Sequence, residues 1–155
     1  MIPQEIVDFI YSGQAGAVGS RDENMVPMLA MCWGTSIRDT EGVVITYVVQ
    51  EQYEQILKNF NNNGRVTVTL VETTSYRSYQ FKGQFLEARA MTPDEVDFQR
   101  QFRETVVAGF NSGGYPYEVA DRYVGRADLA IEFKVEEIFD QTPGPGAGKA
   151  VELAK

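Results

Sequence analysis

The segment Tyr76-Arg77-Ser78-Tyr79-Gln80-Phe81-Lys82-Gly83 concentrates more side chains able to do chemistry than any other stretch of this chain. Its alternation puts Ser78, Gln80, Lys82 and the following Gln84 on one side of an extended strand, and Tyr79, Phe81 and Phe85 on the other. One side can offer hydrogen bonds and positive charge while the other buries aromatic surface. Such a polar face is either a solvated sheet surface or the wall of a ligand site. An anionic ligand in a protein of net charge −8 needs local cations, and Arg77 and Lys82 are the first candidates, ahead of Arg38 and Arg65.

The other reactive residue types read as structure. Cys32 lies in the apolar run Met28-Leu29-Ala30-Met31-Cys32-Trp33, where a lone thiol behaves as a small core hydrophobe. Asp94, Glu95 and Asp97 sit where a helix dipole favours acids in the first turn, and Glu136-Glu137 reads as a solvated strand end. Gly144-Pro145-Gly146-Ala147-Gly148-Lys149 imitates a phosphate loop. It has Pro143 where a Walker loop needs Gly and Ala150 where Mg²⁺ needs a hydroxyl.

Composition removes whole function classes. The chain has 155 residues, 14 Lys plus Arg, 22 Asp plus Glu, one Cys and no His. Without histidine there is no Ser-His-Asp or Cys-His catalysis, no His-ligated zinc and no proximal-His haem. One cysteine excludes an internal disulfide and a multi-Cys metal site. An acidic chain, of pI near 4.6, repels phosphate backbones, so nucleic acid is not expected as a partner. No run reaches membrane-span length, and the first ten residues carry Glu5 and Asp8 instead of a secretory pattern. The expectation is a cytoplasmic protein with no membrane partner.

The elements that must position the polar strand follow from periodicity. Residues 3–11 form an amphipathic helix, and 15–20 with 25–33 a hairpin around Arg21-Asp22-Glu23-Asn24. Residues 43–49 are a strand buried on both faces. Tyr53, Ile56, Leu57 and Phe60 mark a helix over 51–63, stopped at Gly64. Residues 66–70 and the polar strand follow, separated at Thr73-Thr74-Ser75. Thr92-Pro93-Asp94-Glu95 starts a helix with a capping box, Phe98, Phe102, Val106 and Phe110 give its stripe, and a shorter helix covers 117–124. A last long strand runs from Leu129. The fold class is α+β, a six-stranded antiparallel split β-barrel with peripheral helices, in one domain over 1–140. A Gly/Pro-rich tail, 141–155, is irregular in its first half and expected to be ordered against the body.

The order of these pieces resembles the pyridoxamine 5′-phosphate oxidase-like, FMN-binding split-barrel family over residues 3 to 90. The resemblance rests on Met25-Val26-Pro27, Asn59-Phe60-Asn61-Asn62-Asn63-Gly64-Arg65-Val66 and the strand Tyr76 to Gly83. It implies a homodimer with two FMN sites at the subunit interface, a small-molecule substrate and oxidoreductase chemistry carried by the flavin. The implied cofactor-binding residues are Arg77, Ser78, Gln80, Lys82 and Gln50. No side chain stands out as a catalytic acid or base. The chain departs from the family pattern at the flavin phosphate: Glu54, Gln55 and Ile56 stand where Ser, Arg and Lys are usual, and 28–32 contains no basic residue. Lys58 falls on the wrong helical face to replace them. The alternative reading is a non-enzymatic ligand-binding or interaction domain that kept the barrel and lost FMN. The homodimer is also expected because strands 28–33 and 43–49 carry more apolar surface than one small barrel readily covers.

Overall fold

The computed structural model describes residues 1–39, 41–72 and 75–153, so the strand break read at Thr73 and Thr74 and the last two tail positions lie outside the described residues. In chain order the elements are α1 (Gln4–Ile10), β1 (Ala15–Arg21), β2 (Pro27–Cys32), β3 (Thr35–Ile37), β4 (Val43–Val48), a 3-10 turn (Gln50–Gln52), α2 (Glu54–Asn63), β5 (Arg65–Val71), β6 (Ser78–Ala90), α3 (Pro93–Ser112), α4 (Tyr117–Tyr123), β7 (Leu129–Asp140) and β8 (Lys149–Ala150).

All pairings are antiparallel, in the order β2-β1-β5-β6-β7-β4-β3, with β8 added to β7. The two ends of that order meet through the chain itself. Only Trp33 and Gly34 separate β2 from β3; Trp33 N–H donates to the Tyr47 carbonyl at 2.7 Å and Tyr47 N–H to that of Gly34 at 3.0 Å. Gly34 takes φ of 114°, which a side chain would strain, and so makes the bend. β2 and β3 are thus halves of one bent run that pairs with β1 at one end and β4 at the other. The expected six-stranded barrel is present, drawn as eight strands because this run is broken and β8 is extra.

Helices finish the barrel. α1 buries Ile6, Phe9 and Ile10 over one end of the core, each side chain worth about 1.5–3 kcal/mol when fully removed from water. α2 buries Ile56 and Phe60 and stops as its sequence demands, with Gly64 at φ 68° and its N–H on the Phe60 carbonyl. Tyr53, just before α2, is fully buried; its phenol donates to the Met31 carbonyl at 2.8 Å, and burial raises its pKa. The Thr92 capping box of α3 is complete.

α3 packs on the outside of β4 and β7, where Phe98 covers Ile45, Tyr47 and Ala130. All of β4 is therefore buried within one chain. This corrects the expectation of spare apolar surface on residues 43–49: the inner face fills the barrel and α3 takes the outer. An ion-pair network fixes the start of α3. Arg89 of β6 bonds Glu95 of α3 through both guanidinium ends (2.7 and 2.8 Å) and Glu132 of β7 (2.6 and 2.8 Å), and Arg38 closes on the second Glu132 oxygen. Glu132 is 1% exposed. Its hydrogen bonds to two guanidinium groups are what make the buried charge tolerable.

The Gly/Pro tail is turned back on the barrel. Gly148 N–H reaches the Asp140 carbonyl at 2.7 Å, and Val151 N–H that of Ile138 at 2.8 Å. Val151 and Leu153 pack against the main core. Lys149, the lysine of the phosphate-loop lookalike, is exposed in β8 and precedes no helix.

Candidate functional site: the outer face of the barrel and the adjoining cleft

Strand register builds the face. One cross-strand row reads Leu29, Gly19, Thr67, Lys82, Glu137, and the next in the same direction reads Met31, Ala17, Thr69, Gln80, Phe139. Between them, Ala30, Val18, Val68, Phe81 and Ile138 point into the barrel, with all but Ala30 buried in the main core. The period of two thus gives a solid apolar interior and an outer face whose centre is small or hydroxylated. Gln80 Nε2 lies 3.4 Å from Thr69 Oγ1, and Lys82 Nζ lies 4.7 Å above the Phe139 ring. Within the two outer rows Lys82 is the one cation. Leu29 is 68% exposed, as are its hairpin neighbours Met25 (67%) and Val26 (58%).

The structure divides the sequence-derived site residues. Gln80 and Lys82 share the outer face. Ser78, in register with Val71, is buried, its Oγ donating to the Tyr76 carbonyl at 2.7 Å and its N–H to Thr142 Oγ1 at 3.1 Å. Arg77 turns to the other side of the strand, its guanidinium 5.0 Å over the Phe9 ring under α1 and its Nε buried without a hydrogen-bond partner. Gln50 lies after β4, its N–H on Asp128 Oδ1 at 2.8 Å, beside the Leu129 end of β7, whereas Gln80 pairs with Phe139 at the other end. The separation is roughly 30 Å along the strand. Within one chain, then, Gln80 and Lys82 are together and Arg77 and Gln50 are elsewhere.

Cys32 is buried, and burial pushes its thiol up to about 11, consistent with a core role. Among the described residues no group of acidic or thiol side chains is arranged to hold a metal ion, and no helix is long and apolar enough to cross a membrane.

Beyond Ala17 the same edge of the face continues through Ala15 into a cleft of about 650 Å³. Its floor is Ser12, Gly13 and Ala15; one wall is Glu72 and Tyr76, and the other is α3 and the turn after it. Thr105, Gly109 and Gly113, spaced at i, i+4 and i+8, present the small side of α3 to it. Gly114 at φ 97° then reverses the chain, and Tyr115 folds back so that its N–H meets the Phe110 carbonyl at 3.1 Å. The Phe110 and Tyr115 rings stand at 89° with centroids 5.7 Å apart. Sequence reasoning missed this cleft; the Thr105-Gly109-Gly113 spacing was the available signal.

No family model and no curated protein sequence matches the chain. Solved structures do. HupZ of Group A Streptococcus matches with TM-score 0.57 and 20% identity, over 96% of this chain and 100% of that one. An FMN-binding protein from Syntrophomonas wolfei subsp. wolfei matches with TM-score 0.53 and 10% identity, over 98% and 90%. An F420 reductase matches with TM-score 0.52 and 11% identity, over 88% and 98%. The chain therefore has the fold of these proteins, the split barrel that its sequence resembles.

Proposed function

We propose that this chain, a split barrel throughout, binds a flavin, FMN, on the outer face of its barrel, with two copies of the chain enclosing the cofactor. The observation that carries the reading is the open two-row face, flat at Gly19, Ala17, Thr67 and Thr69, on a fold shared with an FMN-binding protein. A planar ring system fits that centre, and Gln80 supplies an amide for its polar edge. The phosphate has a thinner fit, because Lys82 is the only cation in those rows and Arg65, next to them, is paired with Glu136 at 2.8 Å. When bound, the flavin supplies hydride or electron transfer to a small molecule. The protein's share is orientation by Gln80 and Lys82 and exclusion of water by the apolar hairpin tip Met25, Val26 and Leu29 of a second copy. Exposed apolar residues clustered on an edge hairpin are what such a contact requires.

The test is the absorption spectrum of purified protein followed by FMN titration of the apo-protein. Lys82→Ala removes a charge-assisted bond and is expected to weaken FMN binding about ten- to hundredfold, whereas Arg77→Ala, on the other side of the strand, leaves it near wild type. Light scattering is expected to show a dimer that Leu29→Glu separates. Absence of FMN binding at any concentration would favour the barrel as a non-enzymatic ligand-binding domain instead.

A further inference from the structure

We propose that the cleft between α3 and the segment before β6 is a binding site for a quaternary ammonium cation. Glu72 lines it and makes no ion pair among the described residues, whereas Glu95 and Glu132 are each matched by arginine. Ser75 Oγ donates to Glu72 Oε2, and Ser12 Oγ, whose shorter contact is to the Phe9 carbonyl at 3.0 Å, lies 3.3 Å from Oε1, so the carboxylate is held in place with lone pairs still free. It presents a fixed negative charge to a cation in the cleft, and the aromatic wall decides which cation.

The opposite wall supplies the second half of the recognition. Phe110 and Tyr115 meet at a right angle, and the corner between two perpendicular rings offers an occupant the electron-rich ring faces that attract a cation. Tyr76 stands across from them with φ of 59°, a left-handed conformation unfavourable for a bulky aromatic residue, and its side chain is 64% exposed at the cleft. The loop holds it there through Tyr76 N–H to the Glu72 carbonyl at 2.8 Å and Glu72 N–H to that of Arg77 at 2.9 Å. Strain of this kind persists where the surroundings fix it and gathers at ligand clamps. The net charge of −8 draws cations toward the molecule as a whole. Aromatic faces plus one carboxylate select a methylated ammonium, whose charge is spread over a surface that rings can contact.

The site is independent of flavin, so it is tested on the purified protein without added cofactor. Titration calorimetry compares choline with 3,3-dimethyl-1-butanol, its uncharged carbon isostere, and with ethanolamine, which has the charge and the N–H donors. Choline is expected to bind at least about tenfold more tightly than either. Glu72→Gln is expected to reduce the preference over the isostere to what the rings alone supply, and Tyr115→Leu to weaken choline several-fold without affecting folding, since Tyr115 is 56% exposed. Glu51→Gln, the same charge change at an exposed position outside the cleft, is expected to leave binding unchanged. No heat with millimolar choline, equal affinity for choline and its isostere, tighter binding of ethanolamine, or an equal effect of Glu51→Gln would each overturn the proposal. Thermal unfolding of each variant confirms that a lost signal is not lost structure.

Discussion

Arg89 is expected to be the side chain whose loss the barrel tolerates least among the exposed or half-exposed cations. Four contacts of 2.6–2.8 Å join it to Glu95 and Glu132. Arg89→Met leaves Glu132 nearly water-free with Arg38 as its one remaining partner among the described residues, and Arg38 is itself 46% exposed. Breaking a buried pair by removing one partner costs about 3–5 kcal/mol; the remaining Arg38 contact places this case near the lower end, about 3 kcal/mol. The larger part of the cost arises from Glu132 left behind and should vanish when Glu132 goes too, while Glu95, its side chain 13% exposed, still loses both bonds from Arg89. Arg89→Met combined with Glu132→Leu puts two apolar side chains beside buried Ile45 and frees Arg38 to reach water, and should recover most of the loss. Urea unfolding of both single variants and the double at pH 7 gives the cycle. Additive losses, or a single-variant cost below about 1 kcal/mol, would show that the network does not carry the buried charge as argued.

Glu95 adds a pH dependence: hydrogen bonds from Arg89 hold its carboxyl below the ordinary value of 4.5, so its contribution is complete above that pH and is lost as pH falls through the lower folded-state value. The stability gap between wild type and Glu95→Gln should therefore narrow only on the acid side, which unfolding curves from pH 7 downward would show. Gly83 sits at a bulge where an added Cβ would lie 1.9 Å from the Lys134 carbonyl oxygen; Gly83→Ala should cost at least about 1–3 kcal/mol, read from thermal unfolding. Cys32, with its thiol pushed up to about 11 by burial, should resist a disulfide reagent at pH 8 in folded protein and react at once in urea.

How far the sequence carried this structure depends on the range of the interaction concerned. Elements set by local chemistry were legible: the Thr92 capping box, the Gly64 stop and the alternation of β5 and of the first half of β6 all appear where their residues put them. The bend at Gly34 and the network around Glu132 join positions far apart in the chain, so no periodicity signals them. The site residues show the same division. Gln80 and Lys82, two apart in one strand, had to share a face; Arg77 precedes the first paired residue, and its side chain follows the Phe9 ring instead. The position of Gln50 depends on how β4 and β7 run past each other, which only tertiary structure decides.

The cleft is the clearest case of a feature that local rules conceal. A stripe of Phe98, Phe102, Val106 and Phe110 describes α3 as one helix with one buried side, yet twenty residues make a rod about 30 Å long. A small barrel cannot underlie all of it. The first half lies on Ile45, Tyr47 and Ala130, where the Arg89 and Glu95 pair pins its start. In the second half the helix turns its large side to Trp33 and α4, with Val107, Ala120 and Val124 buried there, and its small side, Thr105, Gly109 and Gly113, faces open space. The opening thus follows from the length of the helix, and small residues along it keep the opening from filling. What holds that half in place is α4: Arg103 reaches the Val124 carbonyl at 3.1 Å and Asp121 Oδ1 at 2.7 Å, so Arg103→Leu should weaken choline binding where Arg89→Met, at the far end of the helix, does not. A folded Arg103→Leu protein that binds choline as wild type does would show that this anchoring does not shape the cleft.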